Sequence, residues 1–121
     1  MTPVLQLLIV DDEPLIVRTL TDILRLKGYR AKGAHSGEEA IAAVERCSYD
    51  IVLMDIRMPG FSGVEAFRTI KRCSPQTRVI LMSAYMESEP ATALAQEGVV
   101  RVLSKPIDIG ELLALLRLPS A

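Results

Sequence analysis

The stretch Leu8-Ile9-Val10-Asp11-Asp12-Glu13-Pro14 decides how this chain is read. An apolar run that begins at Leu5 ends abruptly in three neighbouring acids, and a proline follows. The run has the character of a buried strand. Pro14 suits the first turn of a helix, where its missing N–H would have had no partner anyway. One acid would bring a strand end to water. Three side by side repel one another and call for a cation.

Outward from this point the same alternation recurs. Ile16, Leu20, Ile23 and Leu24 form one face of a first helix, closed by Gly28. Residues 30–34 make a weaker second strand. Ser36 reads as an N-cap with Glu39 completing a capping box, and Ala40, Ile41, Val44 and Cys47 form that helix's buried stripe. Residues 51–54 are a third strand. A loop with Pro59, Gly60 and Gly63 leads into a helix that buries Val64, Phe67 and Ile70. Residues 78–82 form a fourth strand, Pro90 opens a short helix ending at Gly98, and residues 99–103 form a fifth strand. Asp108 caps a last helix, with Glu111 at its third position and Ile109, Leu112, Leu113 and Leu116 facing inward. This is a (βα)5 pattern: an α/β, doubly wound, five-stranded parallel sheet with helices on both faces. The continuous apolar strands agree with burial on both sides.

The 121 residues are half hydrophobic with a net charge of −1. They suit a single domain over residues 1–121, with neither the composition of disorder nor a general attraction to nucleic acid or anionic membranes. No apolar run approaches a membrane span and no signal-peptide pattern opens the chain. Cys47 and Cys73 lack metal-ligand spacing, so a cytoplasmic protein with two reduced core thiols is expected.

Open parallel sheets bind ligands at the carboxyl ends of their strands. Here the first strand is followed by Asp11, Asp12 and Glu13, the third by Asp55, the fourth by Ser83, and the fifth by Ser104, Lys105 and Pro106. The second offers only His35 and Ser36, and His35 reads as a loop residue. Two carboxylates about 4 Å apart repel by roughly 4 kcal/mol at an effective dielectric near 20. Lys105 supplies one positive charge. An all-oxygen set completed by water favours Mg2+ over Ca2+, and such a site recruits a phosphoryl group. Glu13 is better explained as a helix N-terminal charge, but that reading leaves the Asp11–Asp12 pair unexplained.

Four motifs now stand in order at the right strand ends: "VDDE", "LMDIRMPGFSG", "LMSAY" and "LSKP". Together they resemble the receiver domain of bacterial response regulators in two-component signalling, from about Leu5 to Leu118. The resemblance implies a flavodoxin-like strand order, 2-1-3-4-5. It also implies that Asp55 accepts a phosphoryl group from a sensor histidine kinase or phosphotransfer protein. Asp12, Asp55 and the backbone carbonyl of Arg57 would ligate Mg2+, with Asp11 acting through water. Lys105, Ser83 and the Ala84 amide would bind the phosphoryl oxygens, and the Lys105–Pro106 peptide would be cis. Arg57 and Tyr85 match positions that, in similar domains, influence phosphoryl hydrolysis. The switching surface would be helix four, strand five and helix five, read by an output domain or partner protein, with a homodimer through the same face as a further expectation. Such a domain catalyses only its own phosphorylation and dephosphorylation.

One position departs from the pattern. Three residues before the lysine the family usually carries Tyr or Phe, and here stands Val102. Either Val102 is plain strand packing or the signal travels another way, with Tyr85 as a substitute ring or a gate beside the site. Leu115 and Leu118 mark either a docking surface or end-of-domain packing. Two other function classes fit less well. A haloacid-dehalogenase-like phosphatase needs D-x-D, not adjacent aspartates. A flavin binder needs a Ser/Thr/Gly-rich phosphate loop where "DDEP" would repel phosphate.

Overall fold

In the computed structural model, which describes residues 4–84 and 91–117, five strands and five helices alternate. They are β1 (Gln6–Val10), α1 (Pro14–Leu26), β2 (Arg30–Ala34), α2 (Gly37–Arg46), β3 (Ile51–Asp55), α3 (Gly63–Cys73), β4 (Arg78–Ser83), α4 (Ala91–Glu97), β5 (Val99–Ser104) and α5 (Ile109–Leu116). The strands form one parallel sheet in the order β2-β1-β3-β4-β5. The expected roles of Tyr85, Pro90 and Leu118 fall outside the described residues.

Register explains why the polar strand ends meet. Val10 pairs with Ala34 on one side and Met54 on the other, Asp55 pairs with Met82, and Ser83 with Ser104. The strands therefore finish nearly level, and whatever follows each one lies along a common edge. Alternate residues of the central strands point to opposite layers. Leu8, Val10, Val52, Met54 and Leu81 pack with Val44, Phe67, Ile70 and Leu94. Leu7, Ile9, Leu53, Ile80 and Met82 pack with Leu20, Leu24, Leu112 and Leu116. All five residues of β3 are buried, as an unbroken apolar strand between two helical layers should be. The outer strands are wetter: Arg30 and Lys32 are exposed on β2, and Val100 and Arg101 on β5.

The caps hold the helices in place. Ser62 accepts the Glu65 N–H and the Glu65 carboxylate accepts the Ser62 N–H, a complete capping box that starts α3. Ser36 accepts the Glu39 N–H as expected, but the Glu39 carboxylate bonds the His35 N–H instead of closing the box. Asp108 caps α5 through the Glu111 N–H. Gly28, with φ +96°, takes the left-handed turn after α1 that its sequence position suggested. Across the surface, Arg68 on α3 holds Glu97 at the end of α4 in a two-pronged pair of 2.8 and 2.9 Å.

Three side-chain expectations need correction, and a fourth is decided. Cys47 is exposed, because α2 ends at Arg46 and the extended backbone of Cys47 (φ −137°, ψ 151°) leaves the helical stripe. Cys73 is exposed at the end of α3. Of the two readings of Leu115, end-of-domain packing holds: it is only 6% exposed and belongs to the buried face of α5. On α1 the buried residues are Val17, Leu20, Thr21 and Leu24, with Ile16 and Ile23 on the flanks of that stripe.

Candidate functional site

The acids that follow β1 and end β3 meet beside the lysine that follows β5. The Asp11 N–H bonds Ala34 O at 3.2 Å, fixing the turn at the end of β1, and the Asp11 Oδ1 accepts the Glu13 N–H at 3.0 Å. Its other oxygen accepts from Lys105 Nζ at 2.6 Å, and Lys105 Nζ also reaches Asp55 Oδ2 at 3.1 Å. Asp55 Oδ1 takes the Arg57 N–H at 3.2 Å. Backbone bonds from Ile56 N to Met82 O and from Lys105 N to Ser83 O tie the ends of β3, β4 and β5 together. Among the described residues, Asp11, Asp12 and Asp55 form a group in which one carboxylate oxygen from each lies within 4.8 Å of the others.

The loop that carries Asp55 and Arg57 returns so closely that residue 63 must be glycine. A Cβ there would fall 2.2 Å from the Asp55 carbonyl oxygen and 2.8 Å from Ile56 Cα. Gly63 N instead bonds Ile56 O at 2.8 Å, and α3 starts directly beneath the aspartate.

Asp11 is fully buried, Asp55 is 5% exposed, and Asp12 opens to solvent. Burial pushes the Asp55 carboxyl above its ordinary range. The Lys105 hydrogen bond and charge oppose that rise without cancelling it, and the neighbouring Asp11 charge adds to it. For Lys105, burial works against the charged form, but the hydrogen bonds to Asp11 and Asp55 outweigh it and hold the ammonium above its usual value. One lysine among three carboxylates leaves negative charge uncompensated. Three convergent oxygen donors, one of them open to water, suit a hard divalent cation.

The remaining expected residues distribute as follows. Ser83 is half-buried at the end of β4 and Ala84 is exposed just after it. Arg57 is exposed beyond β3. The Lys105–Pro106 peptide is cis. Val102 is partly buried and packs against the core layer beneath α2, α3 and α4. Glu13 is the exposed N-cap residue of α1, outside the carboxylate group. His35 follows edge strand β2, separated from β3 by β1, with Nδ1 3.8 Å from Glu39. Sequence reasoning did not foresee that Asp11 would be Lys105's nearer partner, because side-chain reach across two loops leaves no trace in spacing.

The profile of the response regulator receiver domain matches residues 7–117. The chain belongs to this family. The receiver domain is 38% identical over 112 residues to the regulatory protein AtoC of Escherichia coli K12, covering 93% of this chain and 24% of AtoC. It is 36% identical to the uncharacterized transcriptional regulatory protein YkoG of Bacillus subtilis, covering 92% of this chain and 49% of that protein. It therefore spans between about a quarter and a half of these relatives. Among solved structures, a response regulator receiver domain protein from Clostridium thermocellum superposes with a TM-score of 0.87 at 27% identity, covering 93% and 91% of the two chains. The response regulator protein TrrA from Thermotoga maritima, solved in complex with Mg2+-BeF, gives 0.81 at 33% identity, covering 93% and 96%. The strand order agrees with the flavodoxin-like expectation. No described helix is long and apolar enough to cross a membrane.

Proposed function

We propose that this chain is a phosphorylation-driven signalling switch with Asp55 as its phosphoacceptor. The observation that carries the reading is Lys105 Nζ bonded to both Asp11 and Asp55, with Asp12 in the same carboxylate group. An Asp55 oxygen attacks the phosphorus of a phosphohistidine on a sensor kinase or phosphotransfer protein. The P–N bond breaks, the imidazole leaves, and an acyl phosphate remains on Asp55. A carboxylate is a weak nucleophile, so the rate rests on alignment and charge neutralisation. Asp11, Asp12, Asp55 and the Arg57 carbonyl would hold Mg2+. When bound, that ion supplies the positive charge needed to bring an anionic phosphoryl group beside three acids. Lys105 stabilises the phosphoryl oxygens as a point charge. Ser83 donates its hydroxyl to another oxygen and the Ala84 amide adds a hydrogen bond. Arg57, and Tyr85 by its position in the sequence, set access of water to the acyl phosphate.

Movement of Ser83 and Lys105 toward the phosphoryl group biases the surface of α4, β5 and α5 between two arrangements. Val102 cannot swing as an aromatic ring does, so in this reading the change reaches α4 by another route. A single receiver domain over residues 1–121 would pass that change to an output domain or partner protein, or to a second copy through the same surface. The transcriptional regulators among its relatives favour an output that acts on transcription.

Acetyl phosphate with Mg2+ is expected to add one phosphoryl mass to the chain, and Asp55→Asn to abolish the addition. Retention of an acid-stable, base-labile phosphoryl group in Asp55→Asn would overturn the assignment.

A further inference from the structure

A second cavity lies at the far end of the sheet from the acidic site. Its volume is about 300 Å3, and it sits between edge strand β2 and the C-terminal turn of α2. Leu8 and Ala43 give it apolar walls, and Lys32, Arg46, Cys47 and Tyr49 supply its polar groups. Leu8 is three residues below Asp11 on the same chain, roughly 10 Å at strand spacing, so this cavity is separate from the carboxylate cluster.

Its chemistry is one-sided. Lys32 and Arg46 have no ion-pair or hydrogen-bond partner among the described residues, and no acid lines the cavity. Tyr49 is only 7% exposed as a residue; its hydroxyl, which has no hydrogen-bond partner among the described residues, is the part that reaches solvent at the cavity. Burial raises the Tyr49 phenol above its usual value, the Cys47 thiol adds to that and Arg46 opposes it. Both side chains therefore lie close enough to act on the hydroxyl, which remains a proton donor at neutral pH. The cavity thus presents two cations and a phenolic O–H around an apolar patch. The complementary ligand is an acceptor with negative charge and a small hydrophobic body. The volume stands at the lower end of ligand cavities, enough for one ring or a short chain.

We propose that the Lys32–Arg46–Tyr49 cavity binds a small molecule carrying a carboxylate or phosphate group on an apolar body, as an input independent of Asp55. The oxyanion would sit between the guanidinium, the ammonium and the phenol, with the body against Leu8 and Ala43. Cys47 at the rim makes occupancy readable.

The test titrates the full chain with benzoate, phenylphosphonate and benzylamine. Occupancy is followed by amide nitrogen–proton shifts and by alkylation of Cys47, with exposed Cys73 as internal control. Benzoate or phenylphosphonate is expected to shift the Lys32, Ala43 and Arg46 amides saturably, with a Kd near or below about 1 mM. Either anion should slow Cys47 alkylation about tenfold at saturation and leave Cys73 unchanged. The stronger of the two identifies whether a carboxylate or a phosphate source is preferred. Arg46→Ala should weaken binding about tenfold and Tyr49→Phe about threefold, while acetyl phosphate still modifies Asp55 at its normal rate. Arg46 is exposed and Tyr49→Phe keeps the ring, and an unchanged thermal midpoint confirms that both variants fold. Absence of saturable shifts up to about 10 mM of either anion, equal binding of benzylamine, or full affinity in both variants would overturn the proposal.

Discussion

Lys105 stands nearer to Asp11 than to Asp55: its Nζ is 2.6 Å from the first carboxylate and 3.1 Å from the second. Asp11 is fully buried, so it serves as the fixed anchor of the amine, and Asp55 is the partner with the longer contact. An amine anchored this way is held within reach of Asp55 by a partner that does not move with it.

Removal of Lys105 isolates two buried carboxylates. Lys105→Ala is expected to lose about 3 kcal/mol in urea unfolding at neutral pH, the usual cost of stranding a buried charge. Added Mg2+ should restore part of that loss and bind more tightly than to the unaltered chain. The lysine's folded pKa is raised, so its contribution is complete below the ordinary lysine value near 10.4 and fades only as pH climbs through the higher folded one. The gap between the two proteins should therefore stay flat from about pH 6 to 9 and close in stronger alkali.

Asp55 has the opposite consequence. Its carboxyl is held above the ordinary value, chiefly by burial. A raised carboxyl favours the fold below the unfolded value near 3.9, and that favour is lost as pH rises through the folded value. At neutral pH the charged side chain is therefore a cost in the metal-free chain. Asp55→Asn should raise Tm at neutral pH by about 2–5 °C. The gain should vanish near pH 3, where the aspartate is protonated in both states. Scanning calorimetry without Mg2+ at the two pH values measures it.

Gly63→Ala tests the loop. The new methyl group would meet the Asp55 carbonyl oxygen and Ile56 Cα, both backbone atoms that cannot swing aside. A loss of about 1–3 kcal/mol is expected from the forced shift. Phosphoryl incorporation from acetyl phosphate should fall about tenfold or more, since misalignment of a weak nucleophile is costly.

Arg68→Ala should loosen the end of α4. The hydrogen bond from Arg68 holds the Glu97 carboxyl below its ordinary value, so the pair acts above the usual carboxylate range and weakens as pH falls through the lowered one. Amides of residues 95–98 should exchange with solvent faster in the variant at neutral pH. Molar salt should bring the two proteins together, because the pair is solvent-exposed and screened.

The order and type of every element were legible because each strand is short and apolar and each helix has a periodic face. Strand ends were less so: β3, β4 and β5 each run one polar residue further than their apolar runs, to Asp55, Ser83 and Ser104, since ladder pairing continues regardless of side-chain polarity. The clustering of Asp11, Asp12, Asp55 and Lys105 followed from strand polarity alone, and the structure brings them together. Cys47 and Cys73 were misjudged because a small apolar side chain at a helix terminus obeys the backbone there and not the stripe behind it. The Ser62–Glu65 box was readable as S-x-x-E but sat inside a loop that glycine and proline dominate. The cavity under α2 had no sequence signature, because its residues come from three separate segments.

The two outermost strands carry fixed cations, Arg30 and Lys32 on one flank and Arg101 on the other. Copies approaching flank to flank would bring like charges to about 5 Å, the spacing of neighbouring strands. Fibre-like growth by adding strand to strand is thereby discouraged at both margins.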